Sequence, residues 1–174
     1  MRISITGHTH GFGKYINETL AALNHTIVGF SKSNGFDISN GDDRYKIINL
    51  SSDCDVFINN AHYKFFQTEI LYELHKKWAH SPKMIINIGS HAKDFCNVNK
   101  SFSYAIQKTA LNEASKQLGR INTCKVICID FGFLSREESE GTSIGYNNAF
   151  EYILLALGTF NKNHRLLEIT VANQ

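Results

Sequence analysis

The sequence predicts an α/β fold: a doubly wound parallel sheet with helices on both faces. Three observations predict it. Short β-branched runs alternate with helical patterns from residue 2 to the C-terminus. The central runs at 54–61 and 83–90 cluster their apolar residues instead of alternating them, as strands buried on both sides do. A glycine-rich turn joins the first strand pattern to the first helix pattern.

RISIT (2–6) alternates and reads as a strand. GHTHGFG is the turn, and Ile16, Leu20 and Leu23 then recur at helical spacing. HTIVGF (25–30) is a second strand, which completes a βαβ unit. FDIS (36–39) is a very short third strand, and DDRYKIINLSS has room for a short helix. CDVFINNA (54–61) is a buried strand. Phe66, Ile70, Leu74 and Trp78 form the stripe of a helix that ends before Pro82. KMIINIGS (83–90) is another strand. SFSYAIQKTALNEASKQLGR is a helix with an apolar face of Ala110, Leu111, Ala114 and Leu118, and Gly119 suits its end. TCKVICIDFGFL is a strand, SREESEGTSIGYNN a polar loop, AFEYILLALGTF a helix and RLLEITVAN a closing strand. Right-handed crossovers are expected.

With 174 residues, 43% of them hydrophobic and 20% charged, the chain reads as one ordered domain spanning 1–174. A formal charge of +2 gives no reason to expect nucleic acid or an anionic membrane as partner. The cysteines at 54, 96, 124 and 128 form no CxxC pair, and Cys124 and Cys128 share one strand face, which predicts burial. Eight scattered histidines give no HxxxH pair, so no metal site is expected. Strand-like residues start right after Met1 and no apolar run reaches membrane length, so a cytoplasmic location is expected.

The turn reads Thr6-Gly7-His8-Thr9-His10-Gly11-Phe12-Gly13. One glycine permits a positive φ, another lets backbone approach a pyrophosphate, and a third lets helix and strand pack closely. The helix start offers free N–H groups to phosphate. A triphosphatase loop would need Ser or Thr after Gly13-Lys14, where Tyr15 stands. A purely structural turn without ligand stays open on the glycines alone.

The spacing TGxxxGxG resembles the glycine motif of the short-chain dehydrogenase/reductase family. Asn59-Asn60-Ala61 resembles its NNAG, with His62 where glycine is expected. Ser90 ends a strand where that family keeps its catalytic serine, and Tyr104-Ala-Ile-Gln-Lys108 matches its YxxxK. The resemblance runs from Arg2 to about Leu134 and implies a Rossmann-type fold with a catalytic Ser90, Tyr104 and Lys108. Lys108 lies one helical turn from Tyr104, and an ammonium near a phenol favours the phenolate. Tyr104 would then exchange a proton with a carbonyl or hydroxyl, Ser90 would hold the substrate oxygen, and Lys108 would also bond the nicotinamide ribose.

The cofactor is expected to lie over Gly7, Gly11, Phe12 and Gly13, with Asn60 and Ala61 beside it and Gly132 and Leu134 near the nicotinamide. His8, His10 and Lys14 stand close to the expected phosphates. The second strand ends in Ser31, Lys32 and Ser33 with no carboxylate, a set suited to a 2′-phosphate, so NADPH is expected ahead of NAD. Asp37 and Ile38 resemble the positions that contact adenine.

Departures from the family pattern accompany the match. The chain is shorter than a usual member, and 63–84 lacks the asparagine that often feeds a proton relay, leaving Gln67 or Tyr63 as substitutes or no relay at all. Phe131-Gly132 replaces Pro-Gly, Arg136 stands where threonine is common, and the substrate loop between Ser135 and Asn147 is short. The leading reading is an NADPH-dependent carbonyl reductase or alcohol dehydrogenase acting on a small molecule, paired into a homodimer or homotetramer. A non-catalytic dinucleotide sensor is the second reading. A nucleotide-sugar epimerase or dehydratase is the third, opposed by the glycine spacing and the short C-terminal part.

Overall fold

The computed structural model describes residues 1–94, 102–137, 139 and 141–173; Cys96 and Ser101 lie outside them. Among these residues the strands are β1 (Arg2–Thr6), β2 (Thr26–Phe30), β3 (Val56–Asn59), β4 (Met84–Ser90), β5 (Lys125–Phe131), β6 (Leu134–Ser135), β7 (Ile144–Gly145) and β8 (Glu168–Val171). The helices are α1 (Gly11–Ala22), α2 (Gly41–Leu50), α3 (Phe66–Trp78), α4 (Phe102–Leu118) and α5 (Tyr146–Gly158).

Six strands form one sheet in the order β2-β1-β3-β4-β5-β8, every pair parallel. The chain first steps outward from β1 to β2, then returns to β3 on the other side of β1. The crevice at such a reversal, at the carboxyl ends of the strands, is where open α/β sheets bind ligands. Here the glycine turn after β1 and Asn60 after β3 flank it.

Strand residues alternate between the two faces. Ile3, Ile5, Val56, Ile58, Ile86, Ile127 and Ile129 join Phe12, Ile16 and Leu20 of α1 and Ile153 of α5 in one core. Phe57, Ile85 and Val126 meet Ile47 of α2, Ile70 and Leu74 of α3 and Leu111 of α4 in the other. The second face turns polar toward the carboxyl ends, where Asn59, Asn87 and Asp130 are fully buried. Asn59 pairs with Asn87 across the sheet, and Asn87 with Cys128. Cys124 and Cys128 are buried thiols as the spacing predicted, and burial pushes the pKa of Cys124 up to about 12.

The expected third strand at 36–39 is a loop, and β2 is therefore a sheet edge. Local bonds compete with the ladder there: the Ser39 N–H donates to Asp37 Oδ1 at 2.8 Å, and the Asp37 N–H to Asp43 Oδ2 at 3.1 Å. Phe36 packs on Phe30 with ring centroids 4.9 Å apart, and Ile38 is buried, so the apolar residues that mimic a strand serve as plugs. The polar loop after β5 is pinned at both ends by the short β6–β7 pair. No described helix is long and apolar enough to cross a membrane.

Candidate active site

The glycine turn is shaped by β3 as much as by its own residues. Gly7 and Gly11 adopt positive φ, 73° and 54°. A Cβ on Gly13 would collide with the Gly7 carbonyl oxygen and the Asn60 side chain, so only glycine lets α1 start this close to the turn. Asn60 Nδ2 donates to Thr6 O at 3.0 Å, and the Asn60 and Ala61 N–H groups both donate to Thr6 Oγ1 at 3.0 Å. Asn60 and Ala61 therefore fasten the turn to the next strand.

Among the described residues no side chain caps the α1 N-terminus, and its first turn carries no acidic residue. Free N–H groups and the positive dipole end face the crevice, a donor set that fits an anionic pyrophosphate. Phe12 is buried and packs on Phe131, ring centroids 5.5 Å apart, so its side chain supports the turn from below. His8 lies with its ring against Gly29 of β2. His10 bonds Thr9 at 2.9 Å, and Lys14 leans toward Glu18 at 3.6 Å, along the helix.

At the end of β2, Ser31 Oγ lies 2.9 Å from Ser33 Oγ, and Asn34 Oδ1 accepts from the Ser31 N–H at 2.7 Å. Lys32 is exposed and pairs with Asp37 at 3.0 Å. The Ser39 backbone bond, and then Lys32, hold the Asp37 carboxyl below its ordinary pKa. The Ile38 side chain belongs to the core, and its carbonyl accepts from Arg44 at 2.8 Å.

The other end of the crevice is organised around Lys108. It is 3% exposed, on the α4 face turned to the sheet. Its ammonium donates to Gln67 Oε1 at 2.9 Å and to the Ile88 carbonyl at 2.8 Å. Gln67 Nε2 donates in turn to the carbonyls of Asn59 and Ile88 at 2.6 and 3.1 Å. Asn59 Nδ2 donates to Asn87 Oδ1 at 2.9 Å, and Asn87 Nδ2 to Ser115 Oγ at 3.0 Å. Burial drives the Lys108 pKa from 10.5 down to about 8, against the pull of Cys128 and Asp130. Lys108 Nζ lies 5.7 Å from the centre of the Tyr104 ring. That ring meets the His62 ring with centroids 4.9 Å apart and planes at 83°. His62 directly follows Ala61, whose N–H holds Thr6, so the Tyr104 ring packs on the same segment that fastens the glycine turn.

Ser90 ends β4, two residues beyond the carbonyl that holds Lys108. Its N–H donates to Asp130 Oδ1 at 3.0 Å, and its hydroxyl accepts from the Ala92 N–H at 3.2 Å. Asp130 is fully buried and also accepts from Lys93 at 2.9 Å and Asn112 at 2.6 Å, while Lys93 pairs with Glu168 as well. Burial raises the Asp130 pKa, with Lys93 opposing it. For Lys93, burial works downward, but the bonds to Glu168 and Asp130 win and the pKa rises.

Gly132 donates its N–H to Val171 O at 2.8 Å, which carries the chain from β5 toward Phe133 and Leu134. Phe133 is 70% exposed at this rim. Beyond it, Tyr146 packs on Phe12 with ring centroids 5.5 Å apart, and a recess of about 210 Å³ opens between Gly11, Lys14, Arg136 and Tyr146. A larger groove of about 540 Å³ between α2 and α3 is lined by Arg44, Tyr45 and Lys77 and touches none of these groups, so size alone does not mark the site.

Of the two proposed substitutes for the relay asparagine, Gln67 reaches Lys108, whereas Tyr63 is exposed and stacks on Phe66. His62, Asn87, Asn112 and Asp130 join the site without having been expected there. A signal existed for three of them: a polar residue inside an apolar strand or helix face.

No protein-family model matches the sequence, and no curated protein matches it. Solved structures do resemble the fold. A 3-alpha-hydroxysteroid dehydrogenase from Pseudomonas sp. B-0831, complexed with NADH, is 15% identical with a TM-score of 0.80, over 99% of this chain and 96% of that one. A short-chain dehydrogenase/reductase from Vibrio parahaemolyticus is 17% identical with a TM-score of 0.76, over 99% of both chains. A short chain dehydrogenase from Burkholderia cenocepacia J2315, in complex with NADP, is 16% identical with a TM-score of 0.77, over 97% of this chain and 86% of that one. At these identities the likeness is one of fold, and the Rossmann-type architecture is the one these dehydrogenases share.

Proposed function

We propose that this chain is a short-chain dehydrogenase/reductase that interconverts a small carbonyl compound and its alcohol with NADPH. The observation that carries the reading is Lys108: a buried ammonium, fixed by Gln67 and the Ile88 carbonyl and one helical turn from Tyr104, at the carboxyl ends of β3 and β4. Burying a lysine charge is costly, and groups perturbed by burial cluster at functional sites.

The residues divide the work. Gly7, Gly11 and Gly13 keep side chains away from the α1 N-terminus, whose N–H groups would hold the pyrophosphate. Ser31, Lys32 and Ser33 would take the 2′-phosphate, with Asp37 releasing Lys32 on binding. Among the described residues two of the three Lys108 N–H groups are committed, and the third would take a ribose hydroxyl. Ser90 keeps its hydroxyl proton for the substrate oxygen while Ala92 occupies a lone pair. Tyr104 gives its phenolic proton to the carbonyl oxygen, and the Lys108 charge favours the tyrosinate left behind. When bound, the reduced nicotinamide supplies the hydride. The apolar residues on the outer face of α4, such as Ile106, leave room for a subunit contact, and a homodimer or homotetramer is part of the proposal.

A second reading, cofactor binding without turnover, draws on Ser90, whose hydroxyl is already engaged by its own turn. Titrating the protein with NADPH by fluorescence, then screening carbonyl compounds, separates the two. Binding with turnover that falls at least about 100-fold in Tyr104→Phe supports the enzyme. Binding with no turnover supports the sensor. Turnover that survives Tyr104→Phe removes the mechanism.

A further inference from the structure

We propose that His62 is a proton-relay residue of this site, returning protons from solvent to Tyr104. The inference rests on the enzymatic reading above and adds a group to it.

Two geometric facts motivate it. The His62 ring is in contact with the Tyr104 ring, centroids 4.9 Å apart and planes nearly perpendicular. Its Nδ1 is buried and has no hydrogen-bond partner among the described residues. A buried ring nitrogen without a partner costs free energy unless it is satisfied in some working state. A polar atom left open on a ring packed against that of Tyr104 is a candidate for proton transfer.

The surroundings set the ring's protonation. Gln67 of α3 and Gln107 of α4 lie near the imidazole and favour its protonated form. Among the described residues, the charged or titratable groups that face it are Lys108 and Tyr104, both from α4. Burial, and then the Lys108 charge, hold its pKa below 6.5, so the ring is neutral near pH 7. A neutral imidazole can donate from one nitrogen while accepting at the other.

Lys108 cannot do this job. Two of its N–H groups are spent on Gln67 and Ile88, and it is 3% exposed, out of contact with bulk water. In carbonyl reduction the substrate oxygen takes the phenolic proton, which leaves a tyrosinate. One His62 nitrogen then gives its proton to that oxygen, and the other takes one from solvent. The ring ends neutral, as its other tautomer, and one solvent proton has entered for each hydride delivered. Alcohol oxidation runs the same steps backward.

The test compares wild type, Tyr104→Phe, His62→Gln, His62→Phe and His62→Gly for NADPH-dependent carbonyl reduction across pH 5–9. NADPH binding by fluorescence serves as the check on folding. Expected are kcat losses of at least about tenfold in His62→Gln and His62→Phe, with NADPH affinity kept. The fall in kcat below pH 6.5 should vanish in both variants. Added imidazole should restore kcat in His62→Gly and leave Tyr104→Phe unchanged. Unaltered kcat and an unaltered acid limb in His62→Gln would overturn the proposal, as would His62→Phe behaving like wild type, since a filler role would survive that change. Loss of wild-type turnover, or turnover indifferent to Tyr104→Phe, would overturn the enzymatic reading first and this proposal with it.

Discussion

The Lys108 ammonium donates a 2.9 Å hydrogen bond to the side-chain oxygen of Gln67, and this bond ties α4 to α3 across the carboxyl ends of β3 and β4. Gln67 is 1% exposed and uses both ends of its amide: the oxygen holds Lys108, and the nitrogen holds the Asn59 and Ile88 carbonyls. Its position in the amphipathic stripe of α3 would suit an apolar residue, so its polarity is explained by the lysine.

Gln67→Leu should therefore destabilise the fold by about 2 kcal/mol, because it strips partners from buried carbonyls and from an ammonium. It should lower kcat more than it raises KM, since Lys108 would no longer be held beneath Tyr104. Urea denaturation and steady-state kinetics check both. Stability equal to wild type would mean the network is not bonded as described.

The low pKa of Lys108 has opposite signs for stability and activity. Its ordinary value is 10.5 and its value in the fold is about 8, which corresponds to about 3 kcal/mol withheld while the buried group is charged. Below pH 8 that cost is fully present. Between pH 8 and 10.5 the folded chain releases the proton and the unfolded chain keeps it, so this group's contribution to stability rises with pH. Activity should fall over the same range, because the ammonium that steadies the tyrosinate is lost. Urea midpoints from pH 7 to 10, compared between wild type and Lys108→Met, isolate this contribution from that of the other lysines. A pH-independent difference between the two would contradict it.

The alternation of strands and helices was legible because burial on two faces leaves an apolar run and an amphipathic helix leaves a stripe, as with Ile58, Ile86 and Ile70. The glycine turn was legible because Gly13 and Gly7 answer steric demands that no other residue meets. What stayed hidden depends on contacts between distant residues. Asp130 meets the Ser90 backbone forty positions away, and Gln67 meets Lys108 forty-one positions away. Phe36 and Ile38 read as a strand since a core plug and a strand residue share the same side chains; the Asp37 turn decided against pairing. Asn59, Asn87 and Asp130 were visible as polar residues in apolar strands, but only the sheet pairing shows that they share one buried face.

Cofactor preference should turn on the pairing of Lys32 with Asp37. The lysine is 71% exposed and its carboxylate partner sits 3.0 Å away, so a 2′-phosphate must compete with that carboxylate. Lys32→Ala should weaken NADPH about tenfold, as loss of one exposed charge-assisted bond does, with NADH little changed. Asp37→Asn should tighten NADPH by freeing the lysine. Fluorescence titration with both nucleotides measures this, and equal losses for NADPH and NADH in Lys32→Ala would place the 2′-phosphate elsewhere.

The closeness of α1 to the glycine turn is the feature most open to a direct steric test. A Cβ on Gly13 has nowhere to go, because the atoms it meets include the Gly7 carbonyl, which is backbone, and the Asn60 amide that fastens β3 to the turn. Gly13→Ala should cost about 2 kcal/mol of stability through that overpacking, and at least about tenfold in NADPH affinity as the helix start moves off the phosphates. Gly158 supplies the contrast: it is exposed at the end of α5, and a Cβ there meets nothing within 4 Å. Gly158→Ala should stabilise the fold by up to about 1 kcal/mol, through helix propensity and a less flexible unfolded chain, and leave NADPH binding alone. Thermal denaturation and nucleotide titration of the two variants side by side decide it, since similar behaviour of both would mean that the turn yields freely and that glycine at 13 is not what seats the helix.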